Sequence, residues 1–430
     1  MQSNNNIQSE KITFVNARIY TPNGIVSGIT LENGRISAIT NSNNNSRNSA
    51  IEPEEDFFLD DDYSGRDYSR ESDKSFESEQ IIDLKGKTVL PGFCLANADF
   101  LNIDPALENN FTDEQIITLI KNNVAKIPSK GVTELWLDLD GENFSRLSEI
   151  LFDEACDSIP FRLRVNFRFS TLASLEKFLA TGLRTGDGRG FSRVGAVSTG
   201  NRISPNDKRV IIETAHMSGM QVILEYNKPL LKSLNWVARK YRKNNPRHLI
   251  LNPIENESLF DDMKIFGYGG ICAATAQASR TLHASFQNGI AINAAAISEN
   301  EPEFLRSPIQ TFGILLRNGL SMSEALSLYT WNAAWNGKVE NRRGEISLGN
   351  DADLVILERD PFIAHPDEIS HINIHMTICA GSITYKNENN SAKTDAQEPE
   401  LESEAESPEP ETNSQFEITS NVLQAEIKKR

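Results

Sequence analysis

Residues 88–98, TVLPGFCLANA, open a series of eight short apolar runs that decides the fold. The other seven are GVTELWLDLD (131–140), FRLRVNFRF (161–169), RVGAVST (193–199), MQVILEY (220–226), RHLILNP (247–253), GGICAATAQ (269–277) and GIAINAAAI (289–297). Helical-period segments with start signals lie between them. Thr112-Asp113-Glu114-Gln115 reads as a capping box, and Ser204-Pro205 puts proline at a first helical position. Ser321-Met322-Ser323-Glu324 opens a helix expected to run through ALSLYTWNAAW (325–335). Eight strand–helix repeats over about 250 residues are what a closed parallel (β/α)8 barrel requires. A doubly wound open sheet is the alternative. It usually has fewer strands, and no GxGxxG follows the first run.

The flanks read differently. KITFVNARIYT (11–21), GITL (28–31) and RISAIT (35–40) are short strands separated by Pro-Asn-Gly and Glu-Asn-Gly turns, which are hairpin signals. IIDLKGKTVL (81–90) continues that style. GEISLGNDADLVILE (344–358) and MTICAGSITYK (376–386) return to it and are expected to complete the same sheet. The expected organisation is an α/β TIM barrel at 89–339 with a composite β-sandwich from 11–40, 81–88 and 340–386.

Charge marks out the rest. The chain of 430 residues has a formal net charge of -17 and a pI near 4.9. Residues 41–79 hold 12 acidic and 4 basic residues, and 387–430 hold 11 and 4. The remainder is almost neutral. Segments 41–80 and 387–430, rich in Asn, Ser, Glu and Pro, cannot bury enough apolar surface to offset ordering entropy and are expected to be a disordered insert and tail. The net charge of -17 argues against nucleic-acid and anionic-membrane partners, both of which need clustered Lys and Arg. No apolar run has the length of a membrane span. Cys94, Cys156, Cys272 and Cys379 form no CxxC pair, so a reduced, cytoplasmic protein without structural zinc is expected.

KITFVNARIYTPNG, GITLENGRISAI and IIDLKGKTVLPGF resemble the start of metal-dependent amidohydrolases. SEALSLYTWNAAWNGKVENRRGEISLGNDADLVILERDPF (323–362) and TICAGSITYK (377–386) resemble that superfamily's carboxy-terminal signature. ALSLYTWNAAW is similar to the branch that contains N-substituted formamide deformylase, amidohydrolase family 3. The resemblance spans roughly 11–40 and 81–386. It implies a zinc-type centre at the carboxyl ends of the barrel strands, where a metal-bound water becomes hydroxide and attacks a C–N bonded carbonyl. It implies His-x-His on strand one, a carboxylated Lys or a Glu on strand four, a His on each of strands five and six, and an Asp on strand eight.

Those ligands are missing here. The His-x-His positions fall on Asn97 and Asp99, the strand-four Lys on Ser198, the next two His positions on Glu225 and Asn252, and the Asp on Ala295. None of the six histidines ends a barrel run. His216 and His283 fall in helices, His248 starts strand six, and His365, His371 and His375 lie in the carboxy-terminal β-unit; all six are read as surface or capping groups. Cys94 and Cys272 are placed facing the barrel core. No metal or other cofactor is therefore expected, although the family uses zinc or another divalent ion.

Other constellations carry weaker signals. Period two puts Asp138 and Asp140 on one strand face. With Asp99, Glu225, Asn97 and Asn252 they would line the mouth with oxygens suited to Mg²⁺, Ca²⁺ or Mn²⁺. The favoured reading is solvated loop carboxylates. Gly186-Asp187-Gly188-Arg189-Gly190 has the composition of an anion cradle but is better read as a flexible loop before strand four. Trp136, Trp236, Trp331 and Trp335 are expected to pack between barrel and helices. No GxSxG is present.

Three functional readings follow. The first is an inactive amidohydrolase homologue that binds an unidentified small molecule or protein. The second is a hydrolase with altered chemistry, built on Asp99, Asp138, Asp140 and Glu225 with a hard cation or none. The third is an ordinary amidohydrolase with its ligands elsewhere. Homo-oligomerisation is left open.

Overall fold

The computed structural model describes residues 11–41, 79–98, 112–143, 150–151, 159–200, 202–241, 246–296 and 306–387. Nearly all of the acidic insert and tail lies outside them, as do Asp99 and Cys156.

Two sheets are built from both ends of the chain. One has the order Arg35–Thr40, Gly28–Glu32, Lys11–Val15, Glu79–Asp83. The other runs Ser382–Lys386, Ile374–Cys379, Leu354–Leu357, Thr88–Pro91, Arg18–Thr21, Gly24–Val26. The Asn-Gly signals act as expected: Asn33 and Gly34 both take positive φ (51° and 76°), as a two-residue turn between paired Glu32 and Arg35 requires. Alternate residues of the two sheets meet in one apolar cluster that includes Ile12, Phe14, Ile29, Leu31, Leu354, Ile356 and Met376. The carboxy-terminal strands are integral to it, because Leu354–Leu357 pairs antiparallel with Thr88–Pro91.

Thr88–Pro91 lies wholly in this second sheet, so the passage to the barrel falls at Gly92 rather than between residues 88 and 89. The run TVLPGFCLANA thus serves two sheets. Gly92 fits at the crossing because a Cβ there would meet the Thr133 side chain at 2.3 Å.

All eight apolar runs contain a strand: Phe93–Ala98, Val132–Asp140, Arg162–Phe169, Ser192–Thr199, Ile223–Glu225, Leu249–Leu251, Gly269–Ala273 and Ile292–Ala295. Their order in the sheet is four, three, two, one, eight, seven, six, five, all parallel. A parallel bridge between Val197 and Val222, with a 2.8 Å bond from the Val197 N–H to the Gln221 carbonyl, joins strands four and five at the two ends of that order. This is the mixed α/β barrel of the sequence reading, with its last seam reduced to one bridge.

Period two explains the two layers of its core. Leu95, Leu135, Leu137, Val165, Val197, Leu224, Ile250 and Ala294 pack outward with the helices. Cys94, Ala96, Trp136, Ala196, Ile223, Leu249, Ile271 and Ala295 form a separate cluster inside. Helix starts follow their sequence signals. Thr112 and Gln115 make the reciprocal capping box of Asp113–Val124, and Ser204 caps Pro205–Met217. The helix from Ser321 departs from expectation. It stops after Met322–Ser327 and resumes as Trp331–Gly337, with Thr330 between them in a non-helical conformation (φ -128°, ψ -93°). At the break, backbone carbonyls turn to the barrel: Cys94 N–H bonds Tyr329 O and Ala294 N–H bonds Leu328 O.

No described helix is long and apolar enough to cross a membrane.

Candidate functional site at the carboxyl end of the barrel

The positions at which the sequence resemblance would put metal ligands lie at the carboxyl ends of these strands. Strand one has Asn97 next to its last residue, inside the register shift against strand two between Leu95 and Ala98. Ser198 is the penultimate residue of strand four, in register with Arg168 of strand three, and its buried Oγ has no hydrogen-bond partner. Glu225 ends strand five exposed to solvent. Asn252, just past strand six, is exposed with φ +47°, and its N–H bonds the Ile271 carbonyl at 2.7 Å. Ala295 ends strand eight, buried in register with Ala96 and Ala273.

The carboxylates are used locally. Asp138 is half-buried; it accepts a 2.8 Å hydrogen bond from Asn166 Nδ2 and lies 3.9 Å from Arg168. Asn166, fully buried on strand three, also accepts the Ala196 N–H at 2.8 Å through Oδ1. It occupies the register shift between strands three and four, where Gly195 leaves room: a Cβ there would meet Asn166 Oδ1 at 2.1 Å. Asp140 accepts the Glu142 N–H at 3.0 Å, a turn that ends strand two. Glu142 in turn accepts the Ser170 N–H at 3.1 Å and the Ser174 hydroxyl at the start of the helix Leu172–Leu179. Glu225 lines a separate cavity of about 350 Å³ with Thr199, Lys208 and Tyr226, and neither Asp138 nor Asp140 borders it.

The structure thus joins Asp138 to Asn166 and Arg168, and leaves Asp140 and Glu225 apart. The shared carboxylate pocket of the altered-chemistry reading is not formed by Asp138, Asp140 and Glu225. Strand twist splays residues that spacing alone had put together. Among the described residues, no three of His, Cys, Asp and Glu come together where they could hold a metal ion. The residues at these strand ends, a hydroxyl (Ser198), an exposed carboxylate (Glu225), an exposed amide (Asn252) and a methyl (Ala295), do not fit a zinc-type centre either. Asn166 and Arg168 escaped the sequence reading, although Arg162, Arg164, Asn166 and Arg168 recur at period two along one strand. That alternation was the available signal for a polar inner face.

Several side-chain expectations are corrected. His216 and His248 are both buried, each 1% exposed, and face each other rather than solvent. His248 Nδ1 accepts the Val222 N–H at 3.0 Å, so its proton sits on Nε2. It donates that proton to His216 Nδ1 at 2.8 Å, leaving His216 Nε2 buried without a partner. Burial lowers the pKa of both rings, well below the usual value for His248. The pair lies at the amino-terminal end of strands five and six, away from the mouth. Of the remaining histidines, His375 meets Glu358 at 2.7 Å, and His365 caps Pro366–Ile369.

Cys94 does face the barrel interior, but Cys272 packs outward with the helices, because strand seven puts Ile271 inside. Burial pushes the Cys94 thiol well up and the Cys272 thiol up to about 11, so neither offers a thiolate near neutrality. Trp136 fills the barrel interior instead of the helix interface. Trp236 and Trp331 are 59% and 38% exposed. The Gly186–Gly190 segment is a hairpin: Gly188–Arg189 pairs antiparallel with strand four, and Val194 N–H bonds Asp187 O at 2.7 Å. The glycines allow the close approach, since a Cβ on Gly188 would meet Ser192 O at 2.1 Å.

Residues 313–385 match a family described as "Amidohydrolase family". The chain is 37% identical over 67 residues to "Putative amidohydrolase YtcJ" of Bacillus subtilis (strain 168), covering 16% of this chain and 13% of that protein. It is 36% identical over 69 residues to the imidazolonepropionase of Kosmotoga olearia, covering 16% and 17%. The matched stretch therefore spans less than a fifth of these relatives. In three dimensions the chain is similar to the triazine hydrolase from Arthobacter aurescens (TM-score 0.61, 14% identity, 88% of this chain and 96% of that one). It is also similar to a Xaa-Pro dipeptidase with methionine bound in its active site (TM-score 0.58, 14% identity, 88% and 100%). At such identities the likeness is one of fold.

Proposed function

We propose that this chain is an amidohydrolase-type barrel that has lost its metal centre and acts by binding rather than by hydrolysis. The observation that carries the reading is the donor set at the strand ends. Ser198, Glu225, Asn252 and Ala295 stand where imidazole, Lys and Asp would be needed, and Ala295 packs against Ala96. A water at such a site has nothing to lower its pKa toward neutrality. Asp138, half-buried in the mouth, is committed to Asn166 and Arg168 and so organises strands two, three and four. In this reading the family signatures preserve the framework, and the retained barrel presents surfaces to a ligand or protein in the cytoplasm. The match at residues 313–385 supports amidohydrolase ancestry; the retained fold does not by itself argue for activity.

Metal analysis of the purified full chain, zinc and manganese titration by calorimetry, and assay against N-formyl and N-acyl amides test it. The expected results are substoichiometric metal, no saturable heat and no turnover above background. Stoichiometric metal together with amide hydrolysis abolished by chelation would overturn the reading.

A further inference from the structure

At the amino-terminal end of the barrel, opposite the mouth, lies a cavity of about 640 Å³. Its walls come from the turn at Asn33–Arg35, strands two and three, the hairpin before strand four, and the segment from Gly337 to Arg343. Seven cationic side chains and two carboxylates line it.

The carboxylates are already taken. Glu134 accepts from Trp136 Nε1 at 2.7 Å and from Arg343 at 2.8 Å. Asp351 meets Arg342 and Arg343, each at 3.0 Å, and Arg162 at 3.1 Å. Arg162 is further clamped by Asp353 at 2.6 Å. Of the other four, Arg193 donates to the Gly190 and Ser192 carbonyls, each at 2.8 Å, and Arg35, Arg164 and Lys338 are not within ion-pair distance of a carboxylate among the described residues.

Arg164 is the unusual member. It is only 6% exposed, stacks 4.9 Å over the Trp136 ring, and donates to Gln221 Oε1 at 2.6 Å and to the Gly337 carbonyl at 3.4 Å. Its Nε is buried with no partner at all. A guanidinium held out of water without a counter-ion is costly, and removing that cost needs a negative charge brought from outside. Burial lowers its pKa to about 10, against the raising effect of Glu134 and Cys94, which is the electrostatic mark of an under-compensated cation. The wall also includes Gly186 and Gly190 of the hairpin.

We propose that this cavity is a binding site for a compact phosphorylated small molecule, held by Arg164 at its floor and by Arg35 and Lys338 at its rim. Guanidinium forks match phosphoryl oxygens in pairs, which a single carboxylate ligand would satisfy less completely. The volume lies within the range of small-molecule sites, roughly 300–1,000 Å³. The site is independent of the barrel mouth, so it stands whether or not the mouth is catalytic.

Calorimetry with the full chain and inorganic pyrophosphate at fixed ionic strength is the test. One-to-one binding with Kd below about 1 mM is expected, together with a rise in unfolding temperature. K338A and R35A should each weaken binding about tenfold, while K126A, in the turn after Asp113–Val124 and not part of the cavity wall, should not. Both rim variants carry exposed side chains, so their unliganded unfolding temperatures should match the parent. No saturable heat, tighter binding of citrate than of pyrophosphate, or undiminished affinity in the R35A/K338A double variant would each overturn the proposal.

Discussion

The buried His216–His248 pair is the clearest case of a residue-level property with a measurable consequence. Burial disfavours the charged forms of both rings in the folded protein and lowers their pKa, and His375 is depressed in the same direction by burial despite Glu358. A folded-state pKa below the unfolded value means that the unfolded chain takes up protons first as pH falls. Stability is therefore full above the unfolded histidine pKa of about 6.5 and declines below it. The urea midpoint should fall between pH 7 and pH 5. Asp351, whose pKa is also lowered but from a carboxylate value, adds its loss only at lower pH. In His216→Gln, the pH 7 to pH 5 drop should shrink. A parent midpoint that is flat over that interval would contradict this account.

At the scale of elements, glycines decide where strands and sheets meet. Gly131 follows the short helix Pro128–Lys130 with φ +79°, and a Cβ there would meet Phe93 and Val355 at 2.9 Å. It thus lies where barrel strand one touches the sandwich. Gly131→Ala combines a left-handed backbone with crowding on both sides and should cost about 2 kcal/mol of unfolding free energy. Gly289→Ala has the same sign of φ (+65°) but open space, and should cost less. Equal losses in urea melts would show that backbone strain, not the sheet junction, sets the effect. The element pattern was legible in the sequence where local chemistry decides it. The capping box at Thr112, the proline at the start of Pro205–Met217 and the Asn-Gly hairpin follow from their residues alone. The interrupted helix after Ser321 was not legible, because its break is set by barrel amides that take the carbonyls of Leu328 and Tyr329.

On the scale of the whole molecule, ion pairs of Arg162 tie the barrel to the sandwich. Arg162, at the start of barrel strand three, clamps Asp353 of the sandwich through two hydrogen bonds of 2.6 and 3.1 Å. Asp353 also accepts the Ala380 N–H at 2.7 Å. Asp353→Ala strands a largely buried guanidinium and should lower stability by about 3 kcal/mol. A loss below about 1 kcal/mol in chemical denaturation would mean that Asp351 alone suffices for Arg162. By itself the sequence determined the eight strand runs and the sandwich shared by both chain ends. Those depend on periodicity, turn residues and side-chain identity, all of which are local. Only the tertiary structure decided that Asp138 sits with Asn166 and Arg168 while Glu225 stands apart. It alone paired two histidines 32 residues apart and gathered Arg35, Arg164 and Lys338 around one cavity. Strand order, twist and the meeting of two sheets place those groups, and the energy of a buried charge depends on what surrounds it in space rather than on its neighbours along the chain.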